Sequence, residues 1–227
     1  MSQQEGTSAT PRRLLWVVIA GIVLYALLDA IAQALPPHYN PIRDAESDLA
    51  VGPYGYLMTI NFVNRGLLSL VFIYSLTQIL HSSGTIQGSG TGGSNRYSTG
   101  HRLLGAWGVG AILLAIFPTD VPATPVSSHG AIHLAVAALA FLAGAFGALS
   151  LSRQFGESQA LSGVRGVALA IAALAVIFCF ATLGLGFVFP HLAGEIGGLD
   201  ERIFLAMVLL WMTAVSIHLL RYKPRMR

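Results

Sequence analysis

The sequence predicts an all-α membrane protein, a six-transmembrane-helix bundle with its N- and C-termini cytoplasmic. Three observations predict it. The 227 residues are 54% hydrophobic and only 10% charged, whereas a soluble domain carries about 25% charged residues. Six apolar runs recur along the chain. The basic residues fall mostly on one side of those runs, as membrane topology requires.

The runs, in order, are Leu14–Leu35, Tyr54–Leu80, Leu103–Phe117, Ala131–Leu151, Val167–Phe189 and Ile203–Leu220. Crossing the hydrocarbon core takes about 20 helical residues. Four runs meet that length, and the third and sixth must borrow flanking residues. Backbone groups in lipid have to be satisfied within the segment, so runs of this kind are helices. Arg12 and Arg13 before the first run, with Ala32-Gln33-Ala34 at its end, resemble a secretory signal. The run is longer than a usual signal core, and cleavage there would leave five helices.

Orientation follows from Lys and Arg. With the N-terminus inside, Arg12, Arg13, Arg96, Arg102, Arg153, Arg165, Arg221, Lys223, Arg225 and Arg227 fall inside. Arg43 and Arg202 fall outside, and Arg65 lies within the second run. The acids Asp44, Glu46, Asp48, Asp120, Glu195, Asp200 and Glu201 fall outside. This places the protein in the cell inner (plasma) membrane as a multi-pass protein. The formal charge of +3 and pI near 9.3 are thereby explained by topology, with no nucleic-acid partner.

The organisation expected is a cytoplasmic tail over 1–13, one transmembrane domain over 14–221 and a basic tail over 222–227. The Gly- and Ser-rich stretch 82–100 reads as a flexible cytoplasmic linker. Gly105 and Gly108, Gly144 and Gly147, and Gly184 and Gly186 are expected to let helices approach closely. Cys179 is the sole cysteine, so no internal disulfide can form. No Walker loop, G-x-S-x-G elbow or Rossmann fingerprint occurs.

Candidate chemistry gathers on the outer side. His129 and His133 are spaced i, i+4 at the start of the fourth helix, one turn apart on one face. That spacing suits two imidazoles on one zinc, which takes three or four such ligands. His191 is the third metal candidate, and His38, Asp48, Asp120 and Glu195 lie on the same side. A zinc with an open position would activate water for hydrolysis. The plainer reading is interfacial histidines bonded to loop backbone and carboxylates.

Asp29 and Arg65 form the second feature, because charges inside a span are costly and are usually paired or functional. At 1.5 Å per residue, Asp29 lies roughly 9 Å below the outer boundary and Arg65 roughly 16 Å. A cluster of Asp29, Asn61 and Arg65 is expected. It would be either a structural ion pair or the floor of an outward cavity for a polar or anionic headgroup.

Four short motifs carry a family resemblance. They are His38-Tyr39-Asn40-Pro41-Ile42 through Glu46-Ser47-Asp48-Leu49, Ile116-Phe117-Pro118-Thr119-Asp120, His129-Gly130-Ala131-Ile132-His133, and Gly198-Leu199-Asp200-Glu201-Arg202 leading toward Trp211. In this order they resemble the bacterial and archaeal membrane proteins grouped as domain-of-unknown-function family number 998, over about residues 14 to 220. The resemblance implies six helices and no established activity. It implies shared positions at Asn40, Pro41, Ser47, Asp48, Pro118, Asp120, His133 and Arg202. The chain departs from the pattern at Glu46, where a small apolar residue is expected. A more distant similarity is to membrane hydrolases of the alkaline ceramidase and adiponectin receptor type, in which Ser, Asp and three His surround zinc. Ser47, Asp48, Asp120 and His129/His133 would correspond.

The functional expectation is therefore an uncharacterised membrane protein with an outward polar site. The first reading is a metal-dependent hydrolase acting on lipid or lipid-linked substrate. Asp48, Asp120 and His133 would be catalytic, Asp29, Asn61, Arg65, Asn40 and Arg202 would bind substrate, and His129, His133 and His191 would hold zinc. The alternatives are a carrier for a small polar or anionic solute, and a non-enzymatic sensor or interaction protein. The partners expected are the bilayer and a lipid or small polar ligand at the outer leaflet.

Overall fold

Six helices occupy nearly the whole chain: α1 (Gln4–Ala34), α2 (Gly55–Ser82), α3 (Ser94–Ile116), α4 (Ser128–Gln154), α5 (Arg165–Val188) and α6 (Pro190–Arg221). In this computed structural model the described residues are 4–35, 39–82, 94–122 and 124–222, with backbone only for 4–9 and 94–97. Each of the six helices is long and apolar enough to cross a membrane. The expectation for His38 lies outside the described residues, as do residues 83–93 of the linker and most of the basic tail.

Besides α1, which begins at Gln4 rather than Leu14 so that residues 4–13 of the expected tail are helix, two boundaries differ from the sequence reading. α3 begins at Ser94, so part of the stretch read as linker is helix. α6 begins at Pro190 rather than near Ile203, so residues 190–202 are helix instead of loop. Proline explains the second difference. It disfavours helical backbone in the residue before it, and Phe189 duly sits at φ −135°, ψ 67°. It is also well suited to a first helical turn, where a missing N–H costs nothing. One residue therefore ends α5 and starts α6. At 32 residues α6 is roughly 48 Å long, well beyond a hydrocarbon core of about 30 Å.

Helices adjacent in sequence pack side by side, and α1 closes the ring against α6. Arg12 fastens that closure by donating to Leu219 O (2.8 Å) and Tyr222 O, the open carbonyls of the α6 terminus. The bundle thus has a basic end with Arg12 and Arg221, and an acidic end built from residues 39–54, the α3–α4 turn and the α5–α6 turn.

Aromatic side chains fill the interior. Trp107 packs on Phe204 (5.9 Å) and Phe141 (6.2 Å). Nearer the basic end, Trp211 packs on Phe72 (5.6 Å) and Phe155 (6.0 Å) and donates from Nε1 to Ser152 Oγ at 2.8 Å. Three of the six small residues singled out make room for this. A Cβ on Gly144 would lie 2.8 Å from the Trp107 ring, one on Gly147 3.0 Å from Leu104, and one on Gly108 3.1 Å from Gly66 O of α2. Gly105, Gly184 and Gly186 face open space, so the packing role expected of them is not realised.

Candidate functional site

An arginine in the middle of a transmembrane segment needs a counter-charge. Arg65 on α2 is 2% exposed, and its partner is Glu46, 1% exposed, with Nη1 3.7 Å from Oε2. Glu46 belongs to a 3-10 turn, Glu46–Ala50, that the acidic-end loop folds down onto the bundle. Its other carboxylate oxygen accepts from Tyr25 OH on α1. Its backbone N–H donates to Glu201 on α6 at 3.1 Å. The guanidinium also lies over three rings, Trp107 at 4.9 Å, Phe62 at 5.3 Å and Tyr25 at 5.9 Å. Burial pushes the Glu46 carboxyl above its ordinary range, opposed by Arg65.

The expected Asp29–Asn61–Arg65 cluster is thus only partly formed. Asn61 is fully buried and donates to Tyr25 O at 3.2 Å, holding α1 against α2 one turn from Arg65. Asp29 is not the ion-pair partner of Arg65. Its Oδ2 accepts from Gln33, and its side chain lines the gap between α1 and α6. Arg65 is met by an acid from the loop before α2 and not by a charge from a neighbouring span.

Arg202, one helical turn beyond Gly198, acts as a clamp. Its Nη1 donates to Pro41 O (2.9 Å), Asp44 O (3.0 Å) and Gly198 O (3.0 Å), and its Nη2 to Tyr39 OH. Gly198 N and Leu199 N add bonds to Arg43 O (3.2 Å) and Ile42 O (2.9 Å). Only glycine fits at 198, because a Cβ there would collide with Asp44 backbone. Asn40 shapes the same loop, its Oδ1 accepting from Ile42 N at 3.0 Å and its N–H donating to Asp44 Oδ2 at 2.7 Å. Burial raises the Tyr39 hydroxyl, opposed by Arg202. Asp48 lies half-buried in the 3-10 turn, and burial raises its carboxyl too.

The other expected site residues hold the α3–α4 turn. Asp120 accepts from Ser127 N (2.8 Å) and Ser127 Oγ (2.6 Å). Ser127 in turn caps α4 by accepting from Gly130 N at 3.1 Å, which satisfies an otherwise open amide. Those bonds hold the Asp120 carboxyl below its ordinary range. His133 is 2% exposed and its Nδ1 donates to Phe117 O at 2.8 Å, because a carbonyl can only accept. His129 is exposed beside the Phe117 ring. His191 is 89% exposed, 3.5 Å from Glu195. The structure therefore does not bring His129, His133 and His191 together. Among the described residues no three His, Cys, Asp or Glu side chains are placed to hold one metal ion.

A lateral groove of about 380 Å³ runs between α1 and α6. Asp29 and Arg202 line it at the acidic end, with Tyr25 a turn below Asp29. Further in, its walls are Ile22, Ala26, Leu205, Ala206, Leu209 and Leu210, ending at Thr213. The Thr213 hydroxyl is spent on Leu209 O at 2.8 Å, so the deep end offers hydrocarbon. Sequence reasoning missed the parts played by Tyr25, Glu46 and Glu201; it named Asp29 and Arg202 as substrate-binding but not the groove between α1 and α6 that they line.

The model of the family described as Protein of unknown function (DUF998) matches residues 19–218. The chain belongs to that family. No curated protein and no solved structure matches it. The likeness to ceramidase-type hydrolases gains no support, since the side chains that would correspond are occupied in the α3–α4 turn or spread along the acidic end. Membership in the family and six membrane-crossing helices make this a multi-pass membrane protein.

Proposed function

We propose that the protein binds an amphiphile, a lipid or lipid-linked molecule, in the groove between α1 and α6, entering from the outer leaflet. One observation carries the reading: a cavity of about 380 Å³ with one charged end and apolar walls, opening sideways between two transmembrane helices. Ligand pockets commonly hold about 300–1,000 Å³. From Arg202 to Thr213 the groove follows eleven residues of α6, roughly 16 Å, about half of a hydrocarbon core. That is the depth of one leaflet. The outer side is read from the excess of Lys and Arg at the opposite end, which supports cytoplasmic termini; residence in the plasma membrane is part of the proposal.

Binding without turnover is favoured over hydrolysis because Asp120 and His133 are committed to the α3–α4 turn and neither lines the groove. A solute carrier would need a polar path to the basic end. Beyond Arg65 the interior is instead filled by Phe72, Leu76, Trp211 and Phe155. The test is native mass spectrometry of the purified protein with added phospholipid, beside an Ala206→Trp variant that fills the groove. Bound lipid should be retained by the wild type and lost in the variant. Equal lipid retention by both would overturn the proposal.

A further inference from the structure

The groove's charged end has an unusual composition. It presents one acid and one base from facing helices, Asp29 on α1 and Arg202 on α6. Among the described residues no direct ion pair joins them. Each keeps a buried polar atom without a hydrogen-bond partner, Asp29 Oδ1 and Arg202 Nε. Unpartnered polar atoms at membrane depth are costly, and among the described residues no hydrogen-bond partner meets either atom. Gln33 reaches only Asp29 Oδ2, and the loop carbonyls and Tyr39 engage only the two terminal nitrogens of Arg202.

Resting on the reading that the groove holds an amphiphile, we propose that its mouth selects a zwitterionic headgroup bearing a phosphate and a primary ammonium, a phosphoethanolamine lipid. The phosphate would take the Arg202 side and the ammonium the Asp29 side, with one acyl chain along Ile22, Ala26, Leu205 and Leu209. Both contacts are then charge-assisted, about twice as strong as neutral hydrogen bonds. A phosphoglycerol headgroup meets Arg202 equally well, but offers Asp29 only neutral hydroxyls while bringing a net negative charge beside it. A choline headgroup has the positive charge and no N–H to donate. The primary ammonium is the one of the three that donates and is charged.

The experiment compares three lipids with identical acyl chains, carrying ethanolamine, glycerol or choline, by native mass spectrometry of the full-length protein in neutral detergent. The ethanolamine lipid should bind at least about tenfold more tightly than the other two, the gain expected from one charge-assisted bond in place of a neutral one. Asp29→Asn, which keeps the side-chain volume, should abolish that preference over the glycerol lipid while binding persists. Equal or tighter binding of the glycerol lipid, or an unchanged preference in Asp29→Asn, would overturn the headgroup assignment. Ala206→Trp separates the two levels. If it removes all three lipids but none was preferred, only the headgroup assignment falls. If it leaves all three bound, the groove is not the site, and the assignment falls with the groove.

Discussion

Glu46→Ala should destabilise the bundle by about 3–5 kcal/mol, the usual result of removing one member of a buried pair and leaving the other charge uncompensated. At 3.7 Å and an effective dielectric near 20, the attraction lost is about 4–5 kcal/mol. Tyr25 loses its acceptor as well. The rings around Arg65 soften the loss, since each cation–π contact is worth about 0.5–2 kcal/mol. The double variant Glu46→Leu/Arg65→Met removes both charges and should recover most of the deficit, to within about 1 kcal/mol of the wild type. Cys179 provides the assay. It is the sole cysteine and is buried, so its reaction with a maleimide fluorophore reports unfolding as SDS is titrated into the detergent-solubilised protein. Glu46→Ala within about 1 kcal/mol of wild type, or a double variant no better than the sum of the single changes, would refute the reasoning.

Four further outcomes follow from the same structure. Arg202→Ala removes donors to three loop and helix carbonyls and Tyr39. It should release residues 39–46 from α6, read as faster proteolytic cleavage there while the six helices survive by circular dichroism. Asp120 is held below its ordinary value of 3.8. Its stabilising contribution is present above that value and is lost as pH falls through the lower, folded one. Melting temperature against pH should therefore drop at the acid end, and Asp120→Asn should flatten that drop. Gly144→Ala pushes a methyl toward the Trp107 ring and should cost about 1–3 kcal/mol. Gly184→Ala meets open space and should stabilise by up to about 1 kcal/mol, both read by Cys179 labelling.

The helix count was legible because hydropathy and charge placement report on the bilayer, a solvent with simple rules. What escaped was set by contacts distant in sequence. Glu195, Asp200 and Glu201 with three glycines look like a loop, yet Pro190 starts a helix, and Gly198 lets residues 42–44 lie against it. Arg65 announced that it needed a counter-charge, but nothing in the spacing said that a carboxylate from the preceding loop would fold in to meet it. Asking which loop acid could reach the helix interior would have raised Glu46 as a candidate. Asp120 and His133 were read as chemistry from residue type, the i, i+4 spacing of His129 and His133, and the resemblance motifs. Their hydrogen bonds are to the nearest turn, and the short connection between α3 and α4 gives them that employment. The groove's place between α1 and α6 could not be read, although Asp29 and Arg202 were named as binding residues. Its two walls are the first and last helices, so Asp29 and Arg202 come from opposite ends of the chain and meet only once the ring of helices has closed.

The pairing of Arg65 with Glu46 also bears on how the chain enters the membrane. Placing an arginine at the centre of a helix costs about 2.5–3.5 kcal/mol on insertion scales. Glu46 lies in the segment joining α1 to α2, so both charges belong to one hairpin, which is made before α6. Arg65 can enter lipid already neutralised, with Tyr25 from the same hairpin completing the set. Glu201 and Arg202 arrive only when α6 is made, and they then lock a loop whose position was decided four helices earlier.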